Sequence, residues 1–271
     1  MTTRLAIIGY GAITEEIVRV LQERDLLGTL AGVLVRPDRL AEASGKAAGR
    51  FAVVSRLDEL LARSPSIVAE CAGHGAMRDY GAAVLDSKMP LLCSSVGVLA
   101  DQDFAEQLLK THGVDRLLIP SGAIAGIDGL LAARTAGLQQ ASYTSIKPPA
   151  AWIGTPAEKK VGPKRTVLFE GTAREAALAY PKNVNVGVTV ALAGLGMDRT
   201  TVSLVSDPAA SGPLGIIEAS GDFGTFRFEI LAYASPRNPK TSLLTAHSIV
   251  AAAYSGVSFP AASALRGGPA L

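Results

Sequence analysis

Cysteine is scarce in this chain: only Cys71 and Cys93 occur, each at the end of an apolar run, which predicts buried free thiols and excludes a disulfide framework. Histidine is nearly as rare, with three residues and none at ligand spacing from another, so no metal is expected. Blocks of like charge are missing. The 26 basic and 24 acidic residues are dispersed and leave a formal charge of +2, so there is no basic stripe to grip a phosphate backbone, and nucleic acid is excluded as a partner. No charged segment followed by a short apolar one opens the chain, and its longest apolar stretch, 184–195, is broken by glycines well short of a membrane span. A soluble, cytoplasmic chain without a membrane partner is expected. Internal repeats are absent as well. What the chain does have is apolar mass: 48% hydrophobic against 18% charged residues over 271 positions fills one large core or two modest ones.

That apolar mass is distributed in two rhythms. From Thr3 to Pro120, short runs such as RLAIIG, TLAGVLV, SIVAEC, PLLCSS and RLLIP alternate with amphipathic stretches such as ITEEIVRVLQERDLL and QDFAEQLLKTHG. This alternation predicts crossover helices around a mostly parallel, doubly wound sheet. Beyond Pro120, SYTSIKPP, TTVSLVSDP, LGIIEASG and TFRFEILAYAS have the length and β-branched content of antiparallel strands. GTAREAALAYP and NVNVGVTVALAGL contain helix-like stretches between them. The expected architecture is therefore α/β: a Rossmann-type domain with a doubly wound parallel sheet over residues 1–120, then a second α+β domain with a mainly antiparallel sheet over 121–240. A helix at about 240–255 is expected to return to the first domain, and residues 256–271, rich in Gly, Pro, Ala and Ser, to form a loose tail.

The opening AIIGYGAITEEIV sets Gly9 and Gly11 between the first strand and the first helix, the context a dinucleotide fingerprint requires. Gly9 permits the tight turn. Gly11 lets the backbone approach a pyrophosphate held at the helix N-terminus, with Ala12 and Ile13 completing the turn; the third small position is Thr14. The usual ribose-binding acid, about 20 residues beyond the motif, is replaced by Val35 at the end of the second strand. Arg36 follows it. A guanidinium there favours a 2′-phosphate, so the cofactor reads as NADP or NAD, with NADP favoured.

The remaining motifs form a set. GYGAI, AECAGHGAMRDYG, SSVGVLAD, IPSGAIAGIDGL, KPP, LFEGTAREAALAYPKNVNVGVTVALAG, DRTTVSLVSDP, GDFG and NPKTS, in this order, make the chain resemble the L-aspartate dehydrogenase family over nearly its whole length. The resemblance implies NAD(P)-dependent oxidation of L-aspartate to iminosuccinate, or the reverse amination, by a homodimer. It implies an iminosuccinate product that feeds NAD biosynthesis or hydrolyses to oxaloacetate and ammonia. Ala123 and Asn185 are similar to the family's cofactor-contacting alanine and asparagine; SGAIAG reads as the opening of a helix, and Asn185 reads equally as a helix cap. Cys71 and Ala72, ending the fourth strand, are expected to line the cofactor cleft, with His74 just beyond them. Lys182, Lys240 and Thr241 suit a dicarboxylate substrate, although Thr241 with Ser242 also reads as the start of the last helix and either lysine as a solvated cation. His112 reads as a surface residue at a helix C-terminus.

One family element is missing. The resemblance calls for an Asn, one residue, then a His, nine residues before the glycine of GDFG; counting back from Gly224 gives Pro213 and Gly215. A positioned imidazole typically contributes about a hundredfold to ten-thousandfold to proton transfer, so its loss is costly. Three outcomes stay open: another residue moves the proton, the substrate is a different amine or imine, or the chain is a catalytically silent nucleotide-binding homologue. His247, two helical turns past Lys240, Lys182 and His74 are the candidate replacements, with His247 reading also as a helix-packing residue.

Overall fold

The computed structural model describes residues 3–235 and 238–266, the side chains of 234–241 excepted. Two compact units emerge. One combines Met1–Ser95, Glu106–Pro120 and Thr245–Pro260, and the other Val96–Ala105, Ser121–Leu244 and Ala261–Leu271.

The first unit is built on β1 (Leu5–Ile8), β2 (Leu30–Leu34), β3 (Val53–Val54), β4 (Ile67–Glu70), β5 (Leu91–Cys93) and β6 (Leu117–Pro120), all parallel, with the spatial order β6-β5-β4-β1-β2-β3. Every residue of β1 and β2 is buried, as expected of strands covered on both faces. Helices α1 (Ala12–Glu23), α2 (Leu40–Ala47), α3 (Leu57–Leu61) and α4 (His74–Asp86) make the crossovers. The strand order reverses between β1 and β4, which is where a doubly wound sheet opens a crevice at its carboxyl ends. The long helix Leu243–Ser255 contributes Ala246, Ile249, Val250 and Ala252 to the core that also holds Leu5, Ile7, Ile17 and Leu21. The tail differs from a loose end. Ser258–Pro260 adds an antiparallel strand on β6, with Phe259 buried opposite Ile119, and Ala262–Leu265 is a short helix. A composition rich in small residues hid the one aromatic side chain that anchors this segment.

The second unit carries a five-stranded sheet of β7 (Leu138–Lys147), β8 (Thr166–Thr172), β9 (Thr201–Ser206), β10 (Leu214–Gly221) and β11 (Gly224–Leu231), ordered β11-β10-β7-β9-β8. Three pairings are antiparallel and β7–β9 is parallel. The parallel pair follows from the connection. Between β7 and β9 lie α7 (Ala173–Ala179) and α8 (Asn185–Ala193), and a helical crossover returns the chain in its original direction. Thr172 caps α7 in a capping box, accepting from the Glu175 N–H while the Glu175 carboxylate accepts from the Thr172 N–H at 2.8 Å. Helix α6 (Ile127–Thr135), which follows α5 (Gln102–Leu109), begins after Gly126, so SGAIAG is a loop and not the opening of a helix. Gly126 has φ +82°, and a Cβ there would stand 2.2 Å from the Phe228 ring; only glycine passes under that ring.

Glu70 organises the loops at the ends of β4 and β5. Its side chain is fully buried, with Oε1 accepting from the N–H groups of Ala72 at 2.7 Å and Gly73 at 2.6 Å and from the Ser95 hydroxyl at 3.0 Å, while Oε2 accepts from the Ser95 N–H at 3.1 Å. Burial pushes the carboxyl above its ordinary value, and the bonds from Gly73, Ala72 and Ser95 pull it back. Replacing it with alanine strands three backbone donors. We expect Glu70→Ala to lose about 3 kcal/mol in urea unfolding, from a cost of roughly 1–3 kcal/mol for each unsatisfied buried group with partial relaxation. Glu70→Gln keeps the Oε1 acceptor and sets an amide N–H against the Ser95 N–H, so its loss is the smaller. Equal stability of Glu70→Ala and wild type would contradict this role.

Candidate functional site

The carboxyl ends of β1, β2 and β4 open onto a cleft of about 570 Å3 in the first unit. Gly9, Gly11, Cys71 and Ala72 line it, as read from the sequence. Gly9 has φ +98°, and a Cβ there would lie 2.6 Å from the Ala72 Cβ, so the glycine is required by both backbone and neighbour. At Gly11 a Cβ would meet nothing within 4 Å. The protein itself does not need that glycine, and the space it leaves belongs to whatever enters the cleft. Thr14, at the third small position, is fully buried and donates its hydroxyl to the Gly9 carbonyl at 2.8 Å, tying the first turn of α1 to the strand end. Ala12 opens α1, and Ile13 packs against the core; neither lines the cleft.

The far end of the cleft is basic. Val35 and Arg36 line it, joined by Arg39 and Lys46 from α2 and the turn before it, which the fingerprint alone did not reveal. Arg36 is 72% exposed and 3.3 Å from Asp38; Arg39 and Lys46 both pair with Glu42, and Lys46 also reaches Glu15. Exposed pairs of this kind are weak, about 0–1 kcal/mol, and yield readily to a dianion. Tyr10 also lines the cleft, its ring edge-on to Phe51 at 5.8 Å. The Cys71 and Cys93 thiols are pushed well up by burial, so neither is a nucleophile at neutral pH.

His74 starts α4 behind Gly73, and exposed His112 donates its backbone N–H to Asp86 in the turn after α5. His247 stands 3.4 Å from the Glu16 carboxylate, which Arg19 also holds at 2.6 Å. Hydrogen bonding to Arg19 and the charge of His247 lower the Glu16 carboxyl. The imidazole thus lies beside the Glu16–Arg19 pair of α1 and does not line the cleft.

In the second unit, Ala123 lies in the loop before α6, and Lys182 is exposed in the turn before α8. Asn185 is the first residue of α8 and does not cap it; its Oδ1 accepts from the Gly97 N–H at 2.8 Å, which fixes the 96–100 turn. Lys240 and Thr241 fall in a short strand, Asn238–Ser242, and their side chains lie outside the described residues. Ser242 caps the following helix by accepting from the Leu244 N–H at 3.2 Å.

Gly215 sits inside β10, paired with Ser145 of β7 and Ile230 of β11. A Cβ there would be 3.0 Å from the Ile124 Cδ1 and 3.3 Å from the Tyr143 hydroxyl. The volume in which a side chain would begin is therefore already taken by Tyr143. Burial pushes the Tyr143 phenol up to about 12 against a hydrogen bond with Ser145, so it stays protonated at neutral pH. Lys147 follows on the same strand face, its Nζ 5.5 Å from the Trp152 ring centroid, and burial pushes its ammonium below the ordinary value. Neither Tyr143 nor Lys147 carries a signal that composition or spacing alone could single out.

A glycine-lined crevice at the switch point of a doubly wound sheet, with a helix N-terminus beside it and cations at its rim, has the form of a dinucleotide-binding site. Residues 9–115 match the family model described as homoserine dehydrogenase, NAD binding domain, and residues 128–255 the one described as aspartate dehydrogenase, C-terminal. The chain is 40% identical to the L-aspartate dehydrogenase of Cupriavidus taiwanensis over 92% of its own length and 95% of that protein. It is 41% identical to that of Ruegeria pomeroyi, covering 92% and 90%. The crystal structure of aspartate dehydrogenase from Thermotoga maritima superposes with a TM-score of 0.71 at 26% identity, covering 92% and 94% of the two chains. The chain belongs to the L-aspartate dehydrogenase family, whose members are NAD(P)-dependent amino-acid dehydrogenases acting on small molecules. Among the described residues no helix is long and apolar enough to cross a membrane, and no cluster of His, Cys, Asp and Glu is disposed to hold a metal.

The crowding at position 215 has a measurable consequence. Gly215→His should unfold earlier than wild type by about 1–3 kcal/mol, the usual cost of overpacking, because Ile124 and Tyr143 must move to admit it. A histidine variant as stable as wild type in thermal unfolding would show that the volume is free.

Proposed function

We propose that this chain oxidises L-aspartate to iminosuccinate with NADP in preference to NAD, and catalyses the reverse amination, as a cytoplasmic homodimer. The observation that carries the reading is the 40% identity to an L-aspartate dehydrogenase over 92% of the chain, joined to a cleft whose ribose end offers Arg36, Arg39 and Lys46 where an acid would hold a 2′-hydroxyl. When bound, the nicotinamide supplies the acceptor for the hydride leaving the substrate's Cα. The chain does the rest. Gly9 and Gly11 admit the pyrophosphate to the N-terminus of α1, Cys71 and Ala72 form a wall of the cleft, and Arg36 takes the 2′-phosphate. The assignments of Ala123 and Asn185 to the cofactor, and of Lys182, Lys240 and Thr241 to the substrate, rest on the motif match; the amide nitrogen of Asn185 is left for a ligand, since its oxygen is spent on Gly97. Iminosuccinate so formed feeds NAD biosynthesis or hydrolyses to oxaloacetate and ammonia.

A second reading is favoured by Gly215. The imidazole that the family pattern calls for is missing there, and a preformed imine needs less proton-transfer machinery than aspartate. Steady-state assays with both cofactors, across amino acids and across keto acids with ammonia, separate the two. Aspartate and oxaloacetate should give the highest kcat/KM; another substrate ahead of them by tenfold would replace the first reading with the second.

Cofactor choice is testable at one residue. Arg36→Ala should weaken NADPH binding about tenfold to a hundredfold, the loss of a charge-assisted hydrogen bond of roughly 1.5–3 kcal/mol, and leave NADH binding within about twofold. Fluorescence titration of both reduced cofactors reads this directly, and an equal effect on the two would contradict the assignment.

A further inference from the structure

We propose, on the dinucleotide reading of the cleft above, that Glu42 opposes Arg36 in the choice of cofactor: its carboxylate accepts from the ribose 2′-hydroxyl of NAD and repels the 2′-phosphate of NADP.

Helix α2 presents one charged stripe to the cleft. Arg39, Glu42, Ala43 and Lys46 line it, and their spacing of three and four residues is that of a single helical face, begun by Arg39 just ahead of the helix. The stripe stands with Val35 and Arg36, which follow the last residue of β2, the place from which an acid ordinarily holds the ribose. Glu42 thus brings from the helix the acid that the strand end lacks. Asp79 also lines the cleft, but it comes from α4, which follows β4, and β1 separates that strand from β2. Glu42 is the acid on the β2 side among the described residues.

The balance of charge decides what this acid does. At its end of the cleft it faces three cations, Arg36, Arg39 and Lys46. Its carboxylate lies 2.9 Å from Arg39 and 3.2 Å from Lys46, so it neutralises part of the charge that a phosphate would use. Lys46 is shared with Glu15 at 3.2 Å, and Arg36 is 3.3 Å from Asp38; neither of these acids lines the cleft. Hydrogen bonds to Glu15 and then Glu42 hold the Lys46 ammonium above its ordinary value, so it stays charged. Glu42 is exposed, and its pairs with Arg39 and Lys46 are weak enough to be exchanged for a ligand's groups.

An ionised carboxylate accepts hydrogen bonds and donates none. It therefore takes a 2′-hydroxyl without a charge penalty and gives a 2′-phosphate no bond at all. Against a dianion it is also a like charge, from which Arg39 and Lys46 must first be drawn away. Removing that one negative charge should help NADP and harm NAD, whereas Arg36→Ala acts on NADP alone.

Fluorescence titration of NADH and NADPH against wild type, Glu42→Gln and Glu42→Ala tests the proposal. In both variants the ratio of the NADH dissociation constant to that of NADPH should rise about tenfold or more, through weaker NADH and tighter NADPH binding, and Glu42→Ala, which keeps no acceptor, should lose the more NADH affinity. Thermal unfolding should stay within about 4 °C of wild type, as expected where only exposed pairs are lost. A ratio unchanged within about twofold in both variants would overturn the proposal. So would equal weakening of both cofactors, which would show that Glu42 only positions Arg39 and Lys46. The wild-type ratio is read separately: a wild type that prefers NADH, with the shift present in the variants, supports Glu42 and refutes the preference for NADP, while a wild type that prefers NADPH, with no shift, refutes Glu42 alone.

Discussion

The contact between Gly9 and Ala72 sets the geometry of the nucleotide crevice. The two residues lie just beyond the ends of β1 and β4, the neighbouring strands at which the sheet order reverses, and no side chain fits between them. Both sides of the contact are held from behind. Thr14 fastens Gly9 to the first turn of α1, and Glu70 holds the N–H groups of Ala72 and Gly73 together with Ser95. A buried carboxylate that satisfies several backbone donors is costly to place and rigid once placed. Here it holds one wall of the cleft in place.

The second sheet solves a different problem. Its β7 strand offers Tyr143, Ser145 and Lys147 to one face, and β10 crosses beside them with a glycine. A glycine inside a strand weakens it unless something uses the space, and Tyr143 does. The absence of a side chain at 215 is thus coupled to the position of a buried phenol.

Much of this was legible in the sequence and some was not. The alternating runs up to Pro120 announce the parallel sheet because strands buried on both faces are continuously apolar, and Gly9 and Gly11 announce the crevice because their placement between strand and helix has a steric cause. The strand β8 was not read, because TVLFEGT is half-exposed and shows little alternation. Glu70 was invisible as an organiser: within AEC it looks like any strand-end acid, and its partners Ala72, Gly73 and Ser95 give backbone atoms that sequence does not distinguish. His247 drew notice as a rare histidine, yet its position is explained by Glu16 on α1, a pairing across most of the chain that no local pattern encodes.

The central claim is that this chain moves a hydride from the Cα of L-aspartate to NADP. Incubation with L-aspartate deuterated at Cα and NADP, followed by mass spectrometry of the reduced cofactor, tests it most directly. The account predicts NADPH carrying the deuterium; reduced cofactor without the label, or no reduced cofactor from a folded protein that binds NADPH, would contradict it.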